Sequence, residues 1–192
     1  MPVSPEALEA AHLIDRLERL ARAGEQAGGL NPAQWETLRY LARANRFSRT
    51  PAALADYLAS TRGTVSRTLA SLEAKGYLTR AANARDGRSV EFALTAMAGR
   101  ALKRDPLIAL AGDIEQAAGG ALTTLVEELR RTLGKAIARN HGRAFGVCRS
   151  CRHFRANLRP SARAPHHCAL LDQALSEADS RAICAEQVPV SA

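Results

Sequence analysis

Residues 61–75 read TRGTVSRTLASLEAK and decide the fold of the central part of this 192-residue chain. Thr61 is a good helix N-cap and Gly76, directly after the stretch, is a typical stop residue, so a helix is predicted between them. Its buried face is marked by apolar residues at helical spacing, namely Val65, Leu69 and Leu72. The opposite face is small and polar with one long cation, Arg67. Such a helix would be about 22 Å long and would fit the major groove of DNA.

Further helices are predicted on both sides of residues 61–75, because residues that start or stop helices recur along the chain. Before it lie an amphipathic helix over 5–23, a helix from Asn31–Pro32 to Ala44 and a short helix from Thr50–Pro51 to Ala59. After it, Thr95 caps a helix, Pro106 interrupts that helix, and its continuation ends at Gly119–Gly120. A last helix over 121–140 has a wider apolar stripe than one small domain needs for its own core.

Two short β-compatible segments, Tyr77–Ala81 and Ser89–Leu94, follow the 61–75 helix and enclose a turn-rich tip. Arg85 and Arg88 in this tip suit a DNA minor groove, whose negative potential attracts arginine. Asp86 would pair with a neighbouring arginine and orient it. Helix, short helix, capped helix and Arg-tipped hairpin together predict a mainly α fold, a winged helix-turn-helix with a two-stranded β-wing.

The net charge of +8 is concentrated in one block of the chain. Residues 46–104 hold eleven Lys and Arg against four Asp and Glu, a balance of +7. A focused basic block indicates a polyanionic partner, either nucleic acid or a membrane surface, although a merely solvated face has the same composition.

Several classes of protein are not expected from this sequence. No apolar run approaches the ~20 residues of a membrane span, and the N-terminus carries Glu6 and Glu9 where a secretory signal would carry cations. The chain is therefore expected to be cytoplasmic, with no membrane partner. It has no Gly-rich phosphate loop and no nucleophile elbow, so an enzyme is not expected either.

Five motifs stand in matching order between Leu30 and Leu102, namely Leu54-Ala55, RGTVSRTL at 62–69, LEAKGYLTR at 72–80, DGRS at 86–89 and LTAMAG at 94–99. With these motifs the stretch resembles the MarR family of bacterial transcription regulators. The resemblance implies a homodimer built by the N- and C-terminal helices, one wing per subunit, and binding to a pseudo-palindromic operator in double-stranded DNA. By the family's pattern the major groove is faced by Arg62, Thr64, Ser66 and Arg67, and the wing includes Asp86 and Arg88.

The composition and the periodicity of the sequence change after Asn140. We therefore divide the chain into a winged-helix and dimerisation domain over 1–140 and a Cys-rich metal-binding extension over 141–192. All four cysteines lie in this extension, one C-x-x-C pair followed by two isolated residues: Cys148, Cys151, Cys168 and Cys184. In a reducing compartment four cysteines are more readily metal ligands than disulfides. Zinc sites more often use two C-x-x-C pairs, whereas an iron–sulfur cube accepts more scattered ligands.

The spacing over 148–184, with Phe154 after the pair and HCAL at 167–170, is similar to that of high-potential iron–sulfur proteins and of small iron–sulfur subunits of some glycyl-radical enzymes. That resemblance implies a [4Fe-4S] cluster held by the four cysteines. Those domains wrap the cluster in aromatic residues, and here only Phe145 and Phe154 are available. A cluster that is more exposed to solvent is therefore expected, and such exposure suits a sensor.

Alternatives for the extension are structural Zn²⁺ and free or redox-paired thiols. Nearby histidines could replace one cysteine, although four thiolates already complete a site: His153, His166 and His167.

Together these patterns predict a homodimeric, sequence-specific DNA-binding transcription regulator. Its operator binding would be modulated by the cluster in response to redox state, oxygen, nitric oxide or iron supply. Gain or loss of the cluster is expected to repack the tail against the helices that set the dimer geometry. One alternative is a MarR-type regulator with structural zinc and a small-molecule effector. Another, of a different class, is an iron–sulfur electron-transfer or redox subunit on a winged-helix scaffold, in which Arg85 and Arg88 would have no purpose.

Overall fold

A computed structural model describes residues 2–25, 29–82, 90–160 and 162–190 of the chain. Arg85, Asp86 and Arg88, which the sequence places at the tip of the wing, lie outside the described residues.

The described residues form a mainly helical fold with two small antiparallel sheets. Its helices are α1 (Pro5–Glu25), α2 (Pro32–Arg43), α3 (Pro51–Tyr57), α4 (Arg62–Ala74), α5 (Ala96–Leu102), α6 (Leu107–Ala118), α7 (Leu122–Arg139) and α8 (Glu177–Arg181). Its strands are β1 (Leu78–Ala82), β2 (Val90–Leu94), β3 (Phe154–Arg155), β4 (His166–Cys168) and β5 (Gln173–Leu175). Short 3₁₀ turns lie at Arg46–Ser48, Gly119–Ala121 and Cys148–Ser150.

The helix starts around α4 follow from side-chain caps, as the sequence predicts. The side chains of Asn31, Thr50, Thr61 and Thr95 each accept a hydrogen bond from the backbone N–H three residues later. Each bond satisfies one of the N–H groups that a helix leaves open at its first turn. The four caps fix where α2, α3, α4 and α5 begin.

The winged helix packs α2, α3, α4 and the β1–β2 hairpin around one apolar core. β1 and β2 are antiparallel with Leu78 opposite Leu94. Gly76 connects α4 to β1 with a φ of +76°, a left-handed conformation that glycine adopts without steric cost. Trp35 of α2 is buried in this core. This arrangement confirms the predicted winged helix with a two-stranded wing.

Helices α1, α6 and α7 carry large apolar side chains that are exposed in the single chain. They include Leu13, Ile14 and Leu17 of α1, Ile108 of α6, and Leu125, Leu129 and Leu133 of α7. Some of them line an open apolar groove between α1, α2, α6 and α7. No helix among the described residues is both long and apolar enough to cross a lipid bilayer.

The extension after α7 folds into a small module that holds β3, β4, β5 and α8. Its three strands form an antiparallel sheet in the order β3-β4-β5, with Phe154 opposite Cys168 and His166 opposite Leu175. Phe145, Ile183 and Ala185 of this module belong to the same apolar core as the winged helix. The module is thus packed onto the winged helix.

Candidate DNA interface and cysteine cavity

The outer face of α4 carries all four residues that the family resemblance assigns to the major groove. Arg62, Thr64, Ser66 and Arg67 are exposed. The inner face is buried, because Val65, Leu69 and Leu72 are at most 2% exposed. α4 thus presents a small, polar and cationic surface to solvent while its other side anchors it in the core.

The hydrogen bonds at the start of α4 distinguish the four residues. Thr61 Oγ1 accepts from the N–H of Thr64 at 3.1 Å and lies 2.9 Å from Thr64 Oγ1, so the Thr64 hydroxyl has a protein partner. Arg62 and Arg67 form no ion pair with any residue that the structure describes. Their guanidinium groups are therefore the ones available to phosphates or base edges.

Two neighbouring cations hold the fold together instead. Lys75 Nζ donates to Gly29 O at 2.9 Å and to Gln34 Oε1 at 3.1 Å, which ties the end of α4 to the start of α2. Arg80 on β1 pairs with Glu73 at 3.2 Å. These contacts orient α4 against its neighbours in the winged helix.

The four cysteines line one cavity in the C-terminal module, although they come from three separate segments. The enclosed volume is about 10 Å³, which is room for about one water molecule. Its remaining lining consists of His153, Phe154, Leu170, Leu175 and Glu186. Phe145, the other aromatic considered from the sequence, packs against Tyr40 and Tyr57 with ring centroids 6.2 and 5.2 Å away. Of the two aromatics, Phe154 is the one on the cavity.

Backbone geometry explains how the cysteines meet. In the C-x-x-C turn the N–H of Cys151 donates to Cys148 O at 2.9 Å. Cys168 ends β4 beside Phe154 of β3. The N–H of Cys184 donates to Gly146 O at 2.9 Å. A Cβ at position 146 would lie 2.6 Å from Gln187 Cδ, so glycine permits this close approach of two segments.

All four cysteines are free thiols, and two of them, Cys148 and Cys184, are buried. Burial, with smaller contributions from the nearby thiols of Cys184, Cys168 and Cys151, raises the pKa of Cys148 to about 12. Cys148 therefore keeps its proton in the metal-free protein. Metal binding would have to release that proton, as thiolate ligation generally does.

The four thiols are not placed as ligands of a single metal ion would be. Four sulfurs around a single zinc ion would lie about 3.8 Å apart, given a Zn–S bond of about 2.3 Å. Across the described ranges, no group of three or more His, Cys, Asp or Glu side chains is arranged so that it could hold a metal ion.

The three histidines near the cysteines differ in their surroundings. His166 is buried, its Nδ1 accepts from the N–H of Asn157 at 3.1 Å, and its Nε2 lies 2.6 Å from Glu177 Oε2. Both ring nitrogens of His166 are thus occupied. His167 Nε2 lies 3.3 Å from Asp172 Oδ1. His153 is the histidine that lines the cavity.

Glu177 is a residue that sequence reasoning missed. Its carboxylate contacts His166, Arg149 and Arg181. Hydrogen bonds from these three groups, that from His166 first, lower the pKa of Glu177 to about 2. Glu177 thereby joins β4, the C-x-x-C turn and α8 beside the cavity. Its only sequence signal is an acid in the first turn of a helix too short to show periodicity.

Comparison with known proteins adds a family match for part of the chain. Residues 28–89, about a third of the chain, match the model of the MarR family. The comparison with curated proteins gave no match.

Three of the solved structures that resemble this chain illustrate the similarity. A MarR transcriptional regulator from Methanosarcina mazei Go1 is 21% identical with a TM-score of 0.56, and covers 67% of this chain and 96% of its own. The regulator BldR from Sulfolobus solfataricus is 21% identical with a TM-score of 0.54, and a MepR–DNA complex from S. aureus is 22% identical with a TM-score of 0.53. Both cover 72% of this chain and 99% of their own. At these identities the similarity establishes the winged-helix fold.

Proposed function

We propose that this chain, whose residues 28–89 carry the MarR family pattern on a winged-helix fold, is a homodimeric transcription regulator. It binds a pseudo-palindromic operator, and a [4Fe-4S] cluster in its C-terminal module modulates that binding. The observation that carries the proposal is the exposed face of α4, on which Arg62 and Arg67 are free of ion pairs within the described part of the chain.

The DNA-binding step follows from the shape and charge of α4. An α-helix with small side chains on its outer face enters the major groove closely enough for short polar groups to reach base edges. Arg67 lies near the middle of this face, and Ser66 beside it offers a hydroxyl. Arg85, Asp86 and Arg88 would add contacts from the wing, at the neighbouring minor groove.

The dimer is supported by the apolar faces that one protomer leaves uncovered. Helices α1, α6 and α7 expose large apolar side chains, for example Leu17, Ile108 and Leu129. A monomer of this size rarely exposes so much contiguous apolar surface. A second copy that covers these faces would place two α4 helices on one operator.

The donor set of the cysteine cavity fits an iron–sulfur cluster. Cys148, Cys151, Cys168 and Cys184 would supply four thiolates, the usual ligand set of a [4Fe-4S] cube. The cavity that they line has apolar walls at Phe154, Leu170 and Leu175, and an iron–sulfur cube accepts ligands from scattered positions such as these. When bound, such a cluster would change oxidation state or be broken down by oxygen or nitric oxide, and that change would be the signal.

Two other functions lead to different observations. A structural zinc ion with a small-molecule effector would require the thiols to close to about 3.8 Å around one ion. An electron-transfer or redox subunit would need no DNA, so the free cations on α4 would serve no purpose in it.

The first experiment is a spectrum and metal analysis of the full chain purified without oxygen. We expect broad absorption near ~400 nm, bleached by air, with iron and sulfide in the protein. A colourless protein that holds zinc would instead favour the structural-zinc alternative.

DNA binding is tested by selection of duplexes from a random pool with the same preparation. We expect enrichment of a pseudo-palindrome. Failure to enrich any sequence, from a protein that contains the cluster, would favour the redox subunit.

A further inference from the structure

Cys184 lies between two residues that belong to the core of the winged helix. Ile183 and Ala185 are 7% and 8% exposed and pack in the same apolar cluster as Leu41 and Leu54. Cys184 itself lines the cysteine cavity. Ile183 forms isolated β-bridges with Ala44 and Val147, and the next residue, Cys184, lines the cavity, so this short segment contacts both the winged helix and the cavity.

The same segment is hydrogen-bonded to the link between α2 and α3. The N–H of Ile183 donates to Arg43 O at 2.8 Å, and the N–H of Asn45 donates to Ile183 O at 2.9 Å. The N–H of Ala185 donates to Ser48 Oγ at 2.9 Å. Residues 183–185, which we name the tail strand, therefore hold residues 43–48, which we name the α2–α3 link.

The α2–α3 link in turn is bonded to α2 and is followed directly by a residue that is bonded to the wing. Tyr40 Oη donates to Ser48 O at 2.6 Å, and Arg49 O, directly after the link, accepts from the N–H of Phe92 on β2 at 3.0 Å. Since α3 packs against α4, the position of the link affects both the reading helix and the wing.

The junction contains a polar group that its packing leaves unsatisfied. Asn45 is 2% exposed, and its Nδ2 has no hydrogen-bond partner among the described residues. A buried donor without a partner destabilises the packed state.

A polar contact beside the junction connects the body of the module to the link. Arg46 pairs with Asp179 at 3.1 Å and donates to Ala174 O at 2.6 Å. Ala174 lies on β5, whose Leu175 lines the cavity, and Asp179 lies on α8, where its backbone oxygen accepts from Cys148 Sγ at 3.8 Å. The module is thus connected to the link at a second point, besides the bonds made by residues 183–185.

We propose that the tail strand transmits the state of the metal centre to the DNA-reading helices through the α2–α3 link, an inference that rests on the proposed function. With the metal group bound, the Cys184 sulfur is fixed and the tail strand stays paired with residues 43–48. With the group lost, the strand loosens, α3 and α4 are less rigidly placed, and operator affinity falls. The route differs from the sequence-based expectation, in which the tail acts on the helices that set the dimer geometry.

The first test compares amide hydrogen exchange in the metal-loaded full chain and in the same protein after removal of metal with a chelator. We expect faster exchange at Ile183, Asn45 and Ala185 on metal loss. The amide of Trp35, bonded to Asn31 O at the start of α2, is the internal control and should not change. Equal protection of Asn45 in the two forms would overturn the proposal.

The second test measures coupling to DNA with the duplex selected by the wild-type protein. We expect metal removal to weaken wild-type binding about tenfold, which is a common allosteric coupling. Ser48→Ala removes the bond to Ala185. In this variant the ratio of the operator affinities with and without metal should be close to one, and the iron content should be unchanged. Thr37→Val, which removes another buried hydroxyl that bonds within α2, should keep the wild-type ratio.

The outcomes separate this proposal from the proposed function. A protein without metal, or without affinity for any duplex, would contradict the proposed function and the coupling with it. A protein that holds the cluster and binds DNA, but whose Ser48→Ala variant keeps the wild-type ratio, would contradict the coupling alone.

Discussion

Arg67 is the residue on which DNA binding should depend most directly. It is exposed on α4 and has no ion-pair partner in the described ranges, so its full charge is available to DNA. Arg67→Glu should lower operator affinity by about 1–3 kcal/mol per half-site, because an attractive contact becomes repulsive. Fluorescence anisotropy at fixed moderate salt checks this. Lys103→Glu, at an exposed position after α5, makes the same charge change and should have a much smaller effect; equal losses in both variants would indicate only a general charge effect.

Cys168 tests the four-cysteine ligand set. Cys168→Ser should remove the cluster or the zinc, because the ligand set then lacks one of its four thiolates. Iron, sulfide and zinc analysis of the variant, purified without oxygen, measures the loss. His167→Gln changes the adjacent residue, whose ring lies near Asp172, and should keep the metal. Full metal content in the Cys168→Ser variant would refute the assignment.

At the scale of single elements, the N-cap of α4 should make a measurable contribution to the stability of the protein. Thr61→Ala removes the acceptor for the N–H of Thr64 and should lower the free energy of unfolding by about 1 kcal/mol. Thr61→Ser keeps the hydroxyl and should therefore keep most of this free energy. Denaturant unfolding of the variants at equal protein concentration provides the comparison; a Thr61→Ala variant as stable as the wild type would mean that packing alone sets the start of α4.

Asp105, between α5 and α6, should stabilise the protein in a pH-dependent way. It forms a two-pronged ion pair with Arg39 of α2, with an Nε–Oδ2 distance of 2.8 Å. Burial alone would raise the pKa of Asp105, but the hydrogen bonds from Arg39 and from the N–H of Leu107 outweigh it and lower the pKa. Asp105→Asn should therefore cost about 1.5–3 kcal/mol at pH 7.

The sign of the pH effect follows from the lowered pKa of Asp105. The extra free energy of unfolding of the wild type over Asp105→Asn should be fully present above the ordinary Asp pKa of about 3.9. It should disappear as the pH falls through the lowered pKa of Asp105. Urea unfolding of both proteins from pH 7 downwards measures the difference. An advantage that grows towards acid pH would contradict this role of the pair.

The elements of the winged helix were predictable because each has its own local signal. Asn31, Thr50, Thr61 and Thr95 cap their helices as expected, and the periodicity of Val65, Leu69 and Leu72 identifies the buried face of α4. The strands β3, β4 and β5 are two or three residues long and show no periodicity, so the sequence did not predict them. Their register depends on contacts between distant segments, such as Phe154 with Cys168.

The candidate site was predictable to a similar extent. The exposure of Arg62, Thr64, Ser66 and Arg67 follows from the same helical pattern. Glu177 and the tail strand were not predicted, because their partners are remote in sequence and become neighbours only in the folded chain. The ligand role of the cysteines and the contacts of the wing tip stay predictions.

At the scale of the whole molecule, the uncovered apolar faces should make the protein a dimer. Leu129 on α7 is 42% exposed in one protomer. Leu129→Glu would bury a charge in the proposed interface and should weaken association by about 3 kcal/mol or more. Sedimentation over a range of concentrations measures it. Glu127→Lys, elsewhere on α7, should leave a dimer; a fully dimeric Leu129→Glu variant would place the interface elsewhere.

The position of the tail strand also has a consequence for synthesis of the chain. Translation proceeds from the N-terminus at roughly 5–20 residues per second, so Cys184 is added roughly 5 to 18 seconds after Leu94, the last residue of the wing. During this interval residues 43–48 lack the strand that covers them, and the other cysteines appear before the fourth exists. A full set of four thiols therefore exists only after Cys184 has been added, and until then the nascent winged helix lacks the segment that covers residues 43–48.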